Sequence, residues 1–259
     1  MSDGNRDDSF AGARRMEERA LNAACAFQSI LYDGWLLGYR PGPTKRLRSV
    51  NPFYRSTLPI EEKVAYCVAF YTAANLPPLF RIVPFADPPA LDRWLERNGW
   101  RMFDRTLLLG ASLADLSDPA LPDVAVEMLE PPAWEPLTAQ LLGIGAAALQ
   151  AYVERAAAYP LPQAGALIRR DGEVVACGLV RLEGDHAGLF AIHTARPWRG
   201  RGLGRAIVAA LLVEARRRGA ARAYLQVTAD NAPAIALYDQ FGFSTGYSYW
   251  YRARHEERI

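Results

Sequence analysis

The sequence predicts an α/β fold in which two units follow each other in tandem, each a mixed, mainly antiparallel sheet flanked by helices. Segments with the strand period and segments with the helix period alternate along the chain. The segments Ile82–Gly99 and Leu225–Gly242 share one seventeen-residue spacing, and each runs from a strand through an Asp-containing turn and a helix to a Gly–aromatic pair. This internal repeat predicts two copies of one unit; the alternative is a chance resemblance between two strand–helix–strand segments.

Composition divides the chain into a tail, two domains and a linker. Residues 1–13 are mostly polar and are expected to form a disordered tail. The stretch Ser112–Asp123 is rich in Asp, Pro, Ser and Ala and lacks a long periodicity. We therefore expect the first unit to span 14–113, the linker 114–123 and the second unit 124–259.

In the first half, apolar residues at helical spacing predict a helix over Arg14–Leu31. The stretch Asp33–Pro52 alternates aromatic residues with Gly and Pro, which predicts two short strands or a loop. Pro59 suits the first turn of a second helix, where acidic side chains such as Glu61 are favourable at the positive end of the helix dipole. The remaining predicted elements are the strand Leu79–Val83, the helix Ala90–Arg97 and the strand Thr106–Leu109.

In the second half, a two-residue Asp171-Gly172 stands between apolar runs, which is the strongest short-range signal for a β-hairpin. Apolar residues from Leu203 onward trace one helical face that ends at Gly219, with three arginines in the last turn. The other predicted elements are the strand Val124–Leu129, helices between Trp134 and Tyr159, the strands Gly165–Arg170, Glu173–Leu182, Ala187–Thr194, Ala223–Val227 and Thr245–Tyr251, and the short helix Ala234–Phe241.

Composition predicts an ordinary globular protein that can bury a core. Of the 259 residues 51% are hydrophobic and 22% are charged, and a net charge of +2 gives no electrostatic case for binding nucleic acid. Cys25, Cys67 and Cys177 lie far apart in apolar stretches, so they indicate neither a disulfide framework nor a metal site, and they suit a reducing cytosol. The start resembles no signal peptide and no run approaches eighteen apolar residues, so we expect a cytoplasmic protein without a membrane partner. The sequence leaves the oligomeric state open.

The most informative segment is a glycine-spaced turn between a strand and a long helix, within residues 192–205. Glycines at 200, 202 and 204 let backbone N–H groups crowd together without a Cβ in the way. These groups lie at a helix N-terminus, where donors are unsatisfied and the dipole is positive, so the turn predicts a pyrophosphate site. Arg199, Arg201 and Arg205 add positive charge, although the last two are also compatible with plain solvated side chains. The spacing excludes a Gly-x-Gly-x-x-Gly dinucleotide fingerprint, and the missing Gly-Lys-Ser/Thr excludes a P-loop.

This turn and the residues after it resemble the motif set of the GNAT superfamily of acetyl-CoA-dependent N-acetyltransferases. Arg199-x-x-Gly202-x-Gly204 comes after a strand ending in Ile-x-Thr, and Asn231 and Tyr238 follow. The resemblance covers about residues 124–252. It is especially strong to the ribosomal-protein alanine N-acetyltransferases, which show the same Asn-x-x-Ala-x-x-x-Tyr run followed by Gly-Phe. The first half resembles the same fold in a degenerate form, so the resemblance implies two GNAT-like units with the catalytic one at the C-terminal end.

The resemblance implies acetyl-CoA as cosubstrate, a primary amine as acceptor, no metal, and direct attack in a ternary complex. The backbone of Ile192, His193 and Thr194 would pair with the pantetheine arm and offer an N–H to the thioester oxygen. Asn231 would hydrogen-bond the cofactor arm, and Tyr238 would protonate the departing thiolate. The pyrophosphate would be bound by Arg199, Gly200, Arg201, Gly202, Leu203, Gly204 and Arg205.

The side chains in these roles also have structural alternatives. Asn231 is a suitable N-cap for the helix that follows it, and Tyr238 could be a core aromatic on an apolar helix face. The alternating Tyr247, Tyr249 and Tyr251 are interpreted as packing residues rather than as substrate contacts.

The resemblance does not identify the general base. Similar enzymes place a glutamate on the strand before the Asn, whereas this chain has Gln226, which cannot titrate. A lysine-like amine with a pKa of about 10.4 is neutral in only about one molecule in 2500 at pH 7, a cost of roughly 4.6 kcal/mol, whereas an α-amine with a pKa of about 8 costs about 1.4 kcal/mol. Gln226 slightly favours the alternative function, a non-catalytic acyl-CoA-binding sensor or regulatory module, while the retained Tyr238 favours an enzyme. The candidates for the base are His193, Glu183, Asp185 and His186, or a chain of water molecules.

The first half lacks the corresponding chemistry. Aligning the two Gly–aromatic pairs of the repeat places Leu95, which cannot donate a proton, where Tyr238 stands. The same alignment places Pro88, which lacks even a backbone donor, where Asn231 stands. No Gly-rich turn precedes the helix at Pro59. We therefore predict that the first half binds no CoA and instead forms one wall of the acceptor pocket or stabilises the chain.

Overall fold

The computed structural model describes residues 10–24, 28–42, 44–114, 116 and 124–254. Residues 1–9 of the predicted tail, Cys25 and nearly all of the predicted linker 114–123 lie outside these ranges. The first helix begins at Ala11, so the described end of the predicted tail is largely helical.

Seven α-helices and eleven strands form in the described residues. The helices are α1 (Ala11–Ala24), α2 (Ile60–Ala73), α3 (Leu91–Arg97), α4 (Pro131–Thr138), α5 (Ala146–Ala158), α6 (Leu203–Arg217) and α7 (Ala232–Asp239). The strands are β1 (Ser29–Tyr32), β2 (Trp35–Gly38), β3 (Val50–Pro52), β4 (Phe80–Ile82), β5 (Arg101–Ser112), β6 (Glu127–Leu129), β7 (Gln163–Arg170), β8 (Glu173–Glu183), β9 (His186–Thr194), β10 (Arg222–Thr228) and β11 (Ser244–Ala253). None of the described helices is long and apolar enough to cross a membrane.

The predicted helix Arg14–Leu31 is wrong at its C-terminal end. There β1 forms instead and pairs antiparallel with β2. Asp33 and Gly34 make the turn between them, with φ angles of 41° and 81°. Positive φ at both positions is the geometry of a two-residue Asp-Gly hairpin. The same dipeptide correctly predicts the second hairpin, β7–β8, where Asp171–Gly172 again has positive φ.

The chain divides into two compact units that are not two consecutive halves. The first unit holds the described residues up to Leu108, Thr228–Asp230 and those from Gly246 onward. The second holds the described residues of Leu109–Val227 and Asn231–Thr245. Most of β11 therefore lies in the first unit, where it pairs antiparallel with β4, whereas the sequence predicts one domain over 124–259. Hydrophobic periodicity marks a strand but does not reveal which strand it pairs with.

The first unit is a mixed, mainly antiparallel sheet with strand order β1-β2-β3-β4-β11-β5. β3 and β4 are parallel, while the pairs β1–β2, β2–β3 and β4–β11 are antiparallel. Its main core surrounds Trp35, Tyr71, Phe80 and Trp100, which are almost completely buried. A second cluster includes Phe53 of the connection after β3 and the tyrosines of β11.

The second unit has strand order β10-β9-β8-β7-β6, in which only β9 and β10 are parallel among the pairs described. The apolar face of α6 is buried along its length, as its sequence period predicts. On α4, Trp134 donates its indole N–H to the Ala166 carbonyl at 2.9 Å. A Cβ at Gly165 would lie 2.3 Å from this indole, so a glycine is needed where the ring packs on β7.

Two neighbouring residues of β8 define the two faces of this sheet. A Cβ at Gly178 would meet the side chains of Ile207 and Leu211, so this position faces α6. Cys177 packs with Trp134 of α4. Because successive strand residues point to opposite faces, we call these faces the α6 side and the α4 side.

Candidate active site

The start of α6 is an open cluster of backbone donors. Gly202 is its N-cap with φ of 76°, and Gly200 has φ of 74°, conformations that residues with a Cβ rarely adopt. The first intrahelical bond runs from Ala206 N to Gly202 O at 3.0 Å, so within the described helix the amides of Leu203 and Gly204 have no intrahelical acceptor. The glycines therefore serve the backbone conformation, and the helix start can receive an anion.

The arginines of this turn are held by specific contacts. Arg199 donates from Nε to the Thr194 carbonyl at 3.1 Å, which ties the turn to the end of β9. The Arg201 guanidinium lies 4.8 Å from the centre of the Trp198 ring. The Arg205 guanidinium lies 5.7 Å from the centre of the Phe241 ring. Cation–π contacts of this kind orient a charge at modest cost, so the positive groups are kept near the helix start.

A β-bulge in β9 decides which way its last residues point. Cys177 lies opposite His193 and Leu179 lies opposite Phe190, so Gly178 alone faces the two residues between them. One of these two, Ala191, has φ of 51°, a strained value for a residue with a side chain. Sequence reasoning missed the bulge, although a glycine inside a strand pattern is its usual signal.

The bulge changes the alternation of side chains along β9. Ile192 contacts the place of a Gly178 Cβ and so lies on the α6 side. His193 shares the α4 side with its partner Cys177. Thr194 returns to the α6 side, where its Oγ1 would be 3.5 Å from a Cβ at Gly204.

β9 and β10 separate next to this bulge. Their pairing runs from His186–Arg222 to Leu189–Leu225. In the described part of the chain, residues 191–194 and 227–228 do not pair with each other. The edge of β9 that would face β10 is therefore available to another extended chain over Ile192–Thr194, beside the start of α6.

α7 supplies the two remaining predicted site residues. Asn231 caps the helix, because its Oδ1 accepts a hydrogen bond from Ala234 N at 3.3 Å. Tyr238 is 7% exposed, and its ring centre lies 6.0 Å from that of Phe243. Burial raises the pKa of Tyr238 to about 12, so the phenol keeps its proton at neutral pH.

The helix α7, the turn and the end of β9 meet at one glycine. A Cβ at Gly204 would lie 3.4 Å from Leu237 Cδ2 and 3.5 Å from Thr194 Oγ1. Leu237 precedes Tyr238, so the structure brings together the strand end, the helix start and the helix that carries the phenol.

The candidate bases are divided between the two ends of β9. Glu183, Asp185 and His186 lie at its beginning, where His186 Nδ1 is 2.6 Å from Asp185 Oδ1. His186 and Thr194 are the first and last residues of this nine-residue strand, so about 26 Å lies between them at 3.3 Å per residue. His193 is next to Thr194. Burial lowers the pKa of His193, and the nearby Arg199 lowers it further.

The other residues singled out by the sequence have structural roles. Tyr247, Tyr249 and Tyr251 are buried in the first unit, which confirms their interpretation as packing residues. Cys67 and Cys177 are buried free thiols. Among the described residues, no group of three or more His, Cys, Asp or Glu side chains is arranged to hold a metal ion.

Comparison with known proteins gives the site its chemical class. Residues 157–243 match the acetyltransferase (GNAT) family model. This segment is therefore similar to the GNAT acyltransferases. It contains β7 to α7, and therefore the turn, the bulged strand, Asn231 and Tyr238. GNAT acetyltransferases use acetyl-CoA as cosubstrate.

Similar proteins extend the GNAT resemblance beyond that segment. An uncharacterized N-acetyltransferase of Bacillus subtilis, YobR, is 26% identical over 245 residues, which cover 93% of this chain and 98% of that protein. The ribosomal protein bS18-alanine N-acetyltransferase of Escherichia coli K12 is 38% identical over 77 residues, or 30% of this chain, and the match spans only 52% of that relative.

A solved structure shows that the GNAT fold extends over nearly the whole chain. It is a GCN5-related N-acetyltransferase from Kribbella flavida, with a TM-score of 0.68 and 18% identity, covering 93% of this chain and 94% of that one. At this level of identity the likeness concerns the fold alone. The mixed α/β architecture is thus similar to the fold of that protein.

Proposed function

We propose that the second unit transfers an acetyl group from acetyl-CoA to a primary amine of a small molecule or a peptide. The observation that carries this proposal is the open donor cluster at the start of α6 beside the unpaired edge of β9. One element suits a pyrophosphate and the other suits an amide-containing arm, and the two occur in that order along coenzyme A. Tyr238 follows Leu237, which lies next to Gly204 at the start of α6, so its phenol suits the sulfur end.

The cofactor in this proposal lies along the turn and the strand. Its pyrophosphate accepts hydrogen bonds from the amides of residues 200–205, with Arg199, Arg201 and Arg205 adding positive charge. Its pantetheine arm pairs with the backbone of Ile192–Thr194. The amide of Asn231 bonds the same arm while its Oδ1 caps α7, so capping and binding are compatible.

The proposed reaction proceeds without a covalent enzyme intermediate. The amine nitrogen attacks the thioester carbonyl carbon, a C–N bond forms, the C–S bond breaks, and the nitrogen gives up one proton that passes to solvent. A backbone N–H near Thr194 stabilises the oxyanion, because a fixed donor is already aimed at the oxygen when the charge develops. Tyr238 donates its proton to the departing sulfur and is reprotonated from solvent. Its burial supports this role because the phenol remains protonated.

The first unit in this proposal is a degenerate GNAT-like unit that binds no acetyl-CoA. Leu95 is completely buried in its core at the position equivalent to Tyr238. α2 has Pro59 as its N-cap and two acidic residues, Glu61 and Glu62, in its first turn, where an anionic ligand would be repelled. The unit stabilises the chain and contributes no reacting group to the transfer.

The second candidate function is an acyl-CoA sensor without catalysis. Gln226 favours it, because an amide cannot accept the proton that a glutamate would. The same substitution argues against carrying over the alanine acceptor named for the Escherichia coli relative, which this chain matches over about half its length.

An amine panel with acetyl-CoA and a thiol-release assay tests the proposal. An enzyme releases free CoA in proportion to acetylated amine, and calorimetry gives one acetyl-CoA bound per chain. Binding without thiol release across the panel supports the sensor. Two acetyl-CoA molecules per chain contradict the role given to the first unit, and no binding contradicts both functions.

A further inference from the structure

We infer that the imidazole of His193 is the general base that removes the proton from the attacking amine. The inference rests on the proposed acetyl transfer and adds the residue that Gln226 leaves open. Nothing in the motif itself marks this position, because the motif concerns the backbone of Ile192–Thr194. The assignment comes from the bulge, from the separation of β9 and β10, and from the surroundings of the ring.

The bulge directs His193 away from the cofactor helix. Without the extra residue Ala191, strand alternation would place Ile192 and not His193 on the side of Phe190. With it, His193 points to the α4 side while the α6 side holds Ile192 and Thr194. A base on the α4 side meets an acceptor that approaches the thioester from the face opposite α6.

Gln226 lies on the same α4 side. A Cβ at Gly188 would meet both Tyr224 and Phe190, so these three positions share one face. Gln226 follows Tyr224 by two residues and therefore faces the same way. His193 and Gln226 thus border the gap between β9 and β10 from its two strands. The imidazole is on β9, whereas similar enzymes carry their glutamate across the gap on β10, at the position of Gln226.

The surroundings of His193 keep its ring neutral. Burial lowers its pKa, and the Arg199 guanidinium acts in the same direction. From β8 it faces Cys177, whose pKa burial raises to about 12, so that group is an uncharged thiol. Glu135 of α4 lies near Cys177, and burial raises its pKa as well. At pH 7 the ring is therefore in the form that accepts a proton.

The other titratable candidates are too far from the reaction. Glu183, Asp185 and His186 are at the opposite end of β9, about 26 Å from Thr194. A general base must reach the proton within about 3 Å or through one water. In the transfer step the amine nitrogen bonds to the carbonyl carbon, its proton moves to a ring nitrogen of His193, and Tyr238 protonates the sulfur. The imidazolium then releases its proton to solvent.

The test is the pH dependence of kcat/KM for wild type, His193→Gln and a control, His186→Gln. Wild type should show a slope of two in log kcat/KM below the imidazole pKa, because the amine and His193 must both be neutral, and a slope of one above it. His193→Gln should keep a slope of one throughout. Its kcat should fall about 10²–10⁴-fold with an unchanged Kd for acetyl-CoA. His186→Gln, at the far end of the same strand, should retain the wild-type profile.

Three results would overturn the assignment. One is a slope of two that persists in His193→Gln, and another is a loss of kcat/KM matched by an equal loss of acetyl-CoA affinity. The third result does not depend on a variant that folds. It is an NMR titration of His193 in wild type that gives a pKa different from that of the kinetic profile, or a pKa that is not below 6.5. A wild type that acetylates no amine overturns the proposed function and this inference together, whereas an active enzyme with an unchanged profile overturns only this inference.

Discussion

The starts of α2 and α6 occupy corresponding places in the two units, and only one of them is open. Each helix connects the strands of a parallel pair, β3–β4 in the first unit and β9–β10 in the second. Before α2, the amide of Ser56 donates to Asp87 Oδ1 at 2.7 Å. The amides of Thr57 and Leu58 each donate to Asp33 Oδ2 at 2.9 Å. The first unit thus supplies its own anion at the start of its helix, whereas the described start of α6 has no side-chain cap.

Asp33 is held in this place by a buried ion pair. The Lys63 ammonium, with its side chain completely buried, lies 2.9 Å from Asp33 Oδ2 and 2.6 Å from Ser56 Oγ. Burial favours the protonated form of Asp33, but hydrogen bonds from Thr57, Leu58 and Lys63 outweigh it and hold the Asp33 pKa well below its usual range. Burial also lowers the pKa of Lys63, although its partners keep it protonated. The same strand-to-helix geometry therefore serves stability in one unit and is free to serve binding in the other.

The C-terminal ends of α3 and α7 have the same backbone conformation but carry different side chains. Gly99 and Gly242 have φ of 82° and 73°. Trp100 N donates to Leu95 O at 3.0 Å, and Phe243 N donates to Tyr238 O at 3.3 Å. The helix caps are equivalent. The sequence alignment that pairs the leucine with the tyrosine is thus supported, and the first unit lacks the phenol, whose hydroxyl is the proton donor in the proposed reaction.

The largest expected effect comes from removing that hydroxyl. Tyr238→Phe should lower kcat by about 10²–10⁴ while the Kd for acetyl-CoA stays the same, because only the proton donor is lost. Steady-state thiol release and calorimetry measure the two quantities. Tyr66→Phe, a half-exposed tyrosine of α2, is the control and should leave both unchanged. An unaltered kcat in Tyr238→Phe would mean that the phenol is only a packing residue.

Removing the internal anion of the first unit should cost stability and leave binding intact. Asp33→Asn leaves the buried Lys63 ammonium without its carboxylate counter-charge, which should lower the free energy of unfolding by about 3–5 kcal/mol. Urea unfolding measures the loss, and Asp171→Asn, an exposed turn residue at which Asn tolerates the same φ, is the control. A change in the Kd for acetyl-CoA would contradict the separation of roles between the units.

The pH dependence of that difference follows from the direction of the Asp33 pKa. Because its pKa is lower in the folded state, the carboxylate contributes its full stability above about pH 4 and loses it as the pH falls through the folded value. Wild type and Asp33→Asn should therefore differ fully at pH 7 and converge in acid. A difference that stays constant down to the lowest accessible pH would show that the charge of Asp33 is not the stabilising feature.

Two glycine substitutions with similar backbone strain distinguish an effect on acetyl-CoA binding from an effect on stability. Gly202→Val and Gly99→Val each place a β-branched residue at a positive φ with no neighbouring atom within 4 Å of the new Cβ. Both should lose about 1–3 kcal/mol of stability. Only Gly202→Val should also weaken acetyl-CoA binding, by about tenfold or more, because it disturbs the donor cluster. Calorimetry and thermal unfolding distinguish the two, and equal loss of affinity in both variants would refute a specific phosphate site.

The smallest effect concerns the two functions proposed for Asn231. Asn231→Ala should cost about 1 kcal/mol through the lost N-cap, and Asn231→Ser should restore that stability. If the amide also bonds the cofactor, both variants should bind acetyl-CoA a few-fold more weakly. Full affinity in the serine variant would leave Asn231 with its capping role alone.

Much of the fold could be predicted because it depends on local signals. The period of α6, the Asp171-Gly172 turn and the proline at the start of α2 each act within a few residues, and each element appears where these signals predict it. The helix predicted over Arg14–Leu31 is wrong at its end because Asp33-Gly34, with the same chemistry as Asp171-Gly172, turns the preceding residues back as a strand. The motif residues around Gly202 and Tyr238 are also local, so the amino-acid sequence alone is sufficient to locate the proposed cofactor site.

The amino-acid sequence by itself determined most of the elements and the glycine turn, because period, φ preference and capping are properties of short segments. Only the tertiary structure decided where β11 pairs, that Asp33 occupies the start of α2, and that the bulge at Ala191 turns His193 to the α4 side. These three features depend on pairing or hydrogen bonding between residues or strands that are not adjacent along the chain. Many such partners are compatible with one sequence pattern, and packing selects among them.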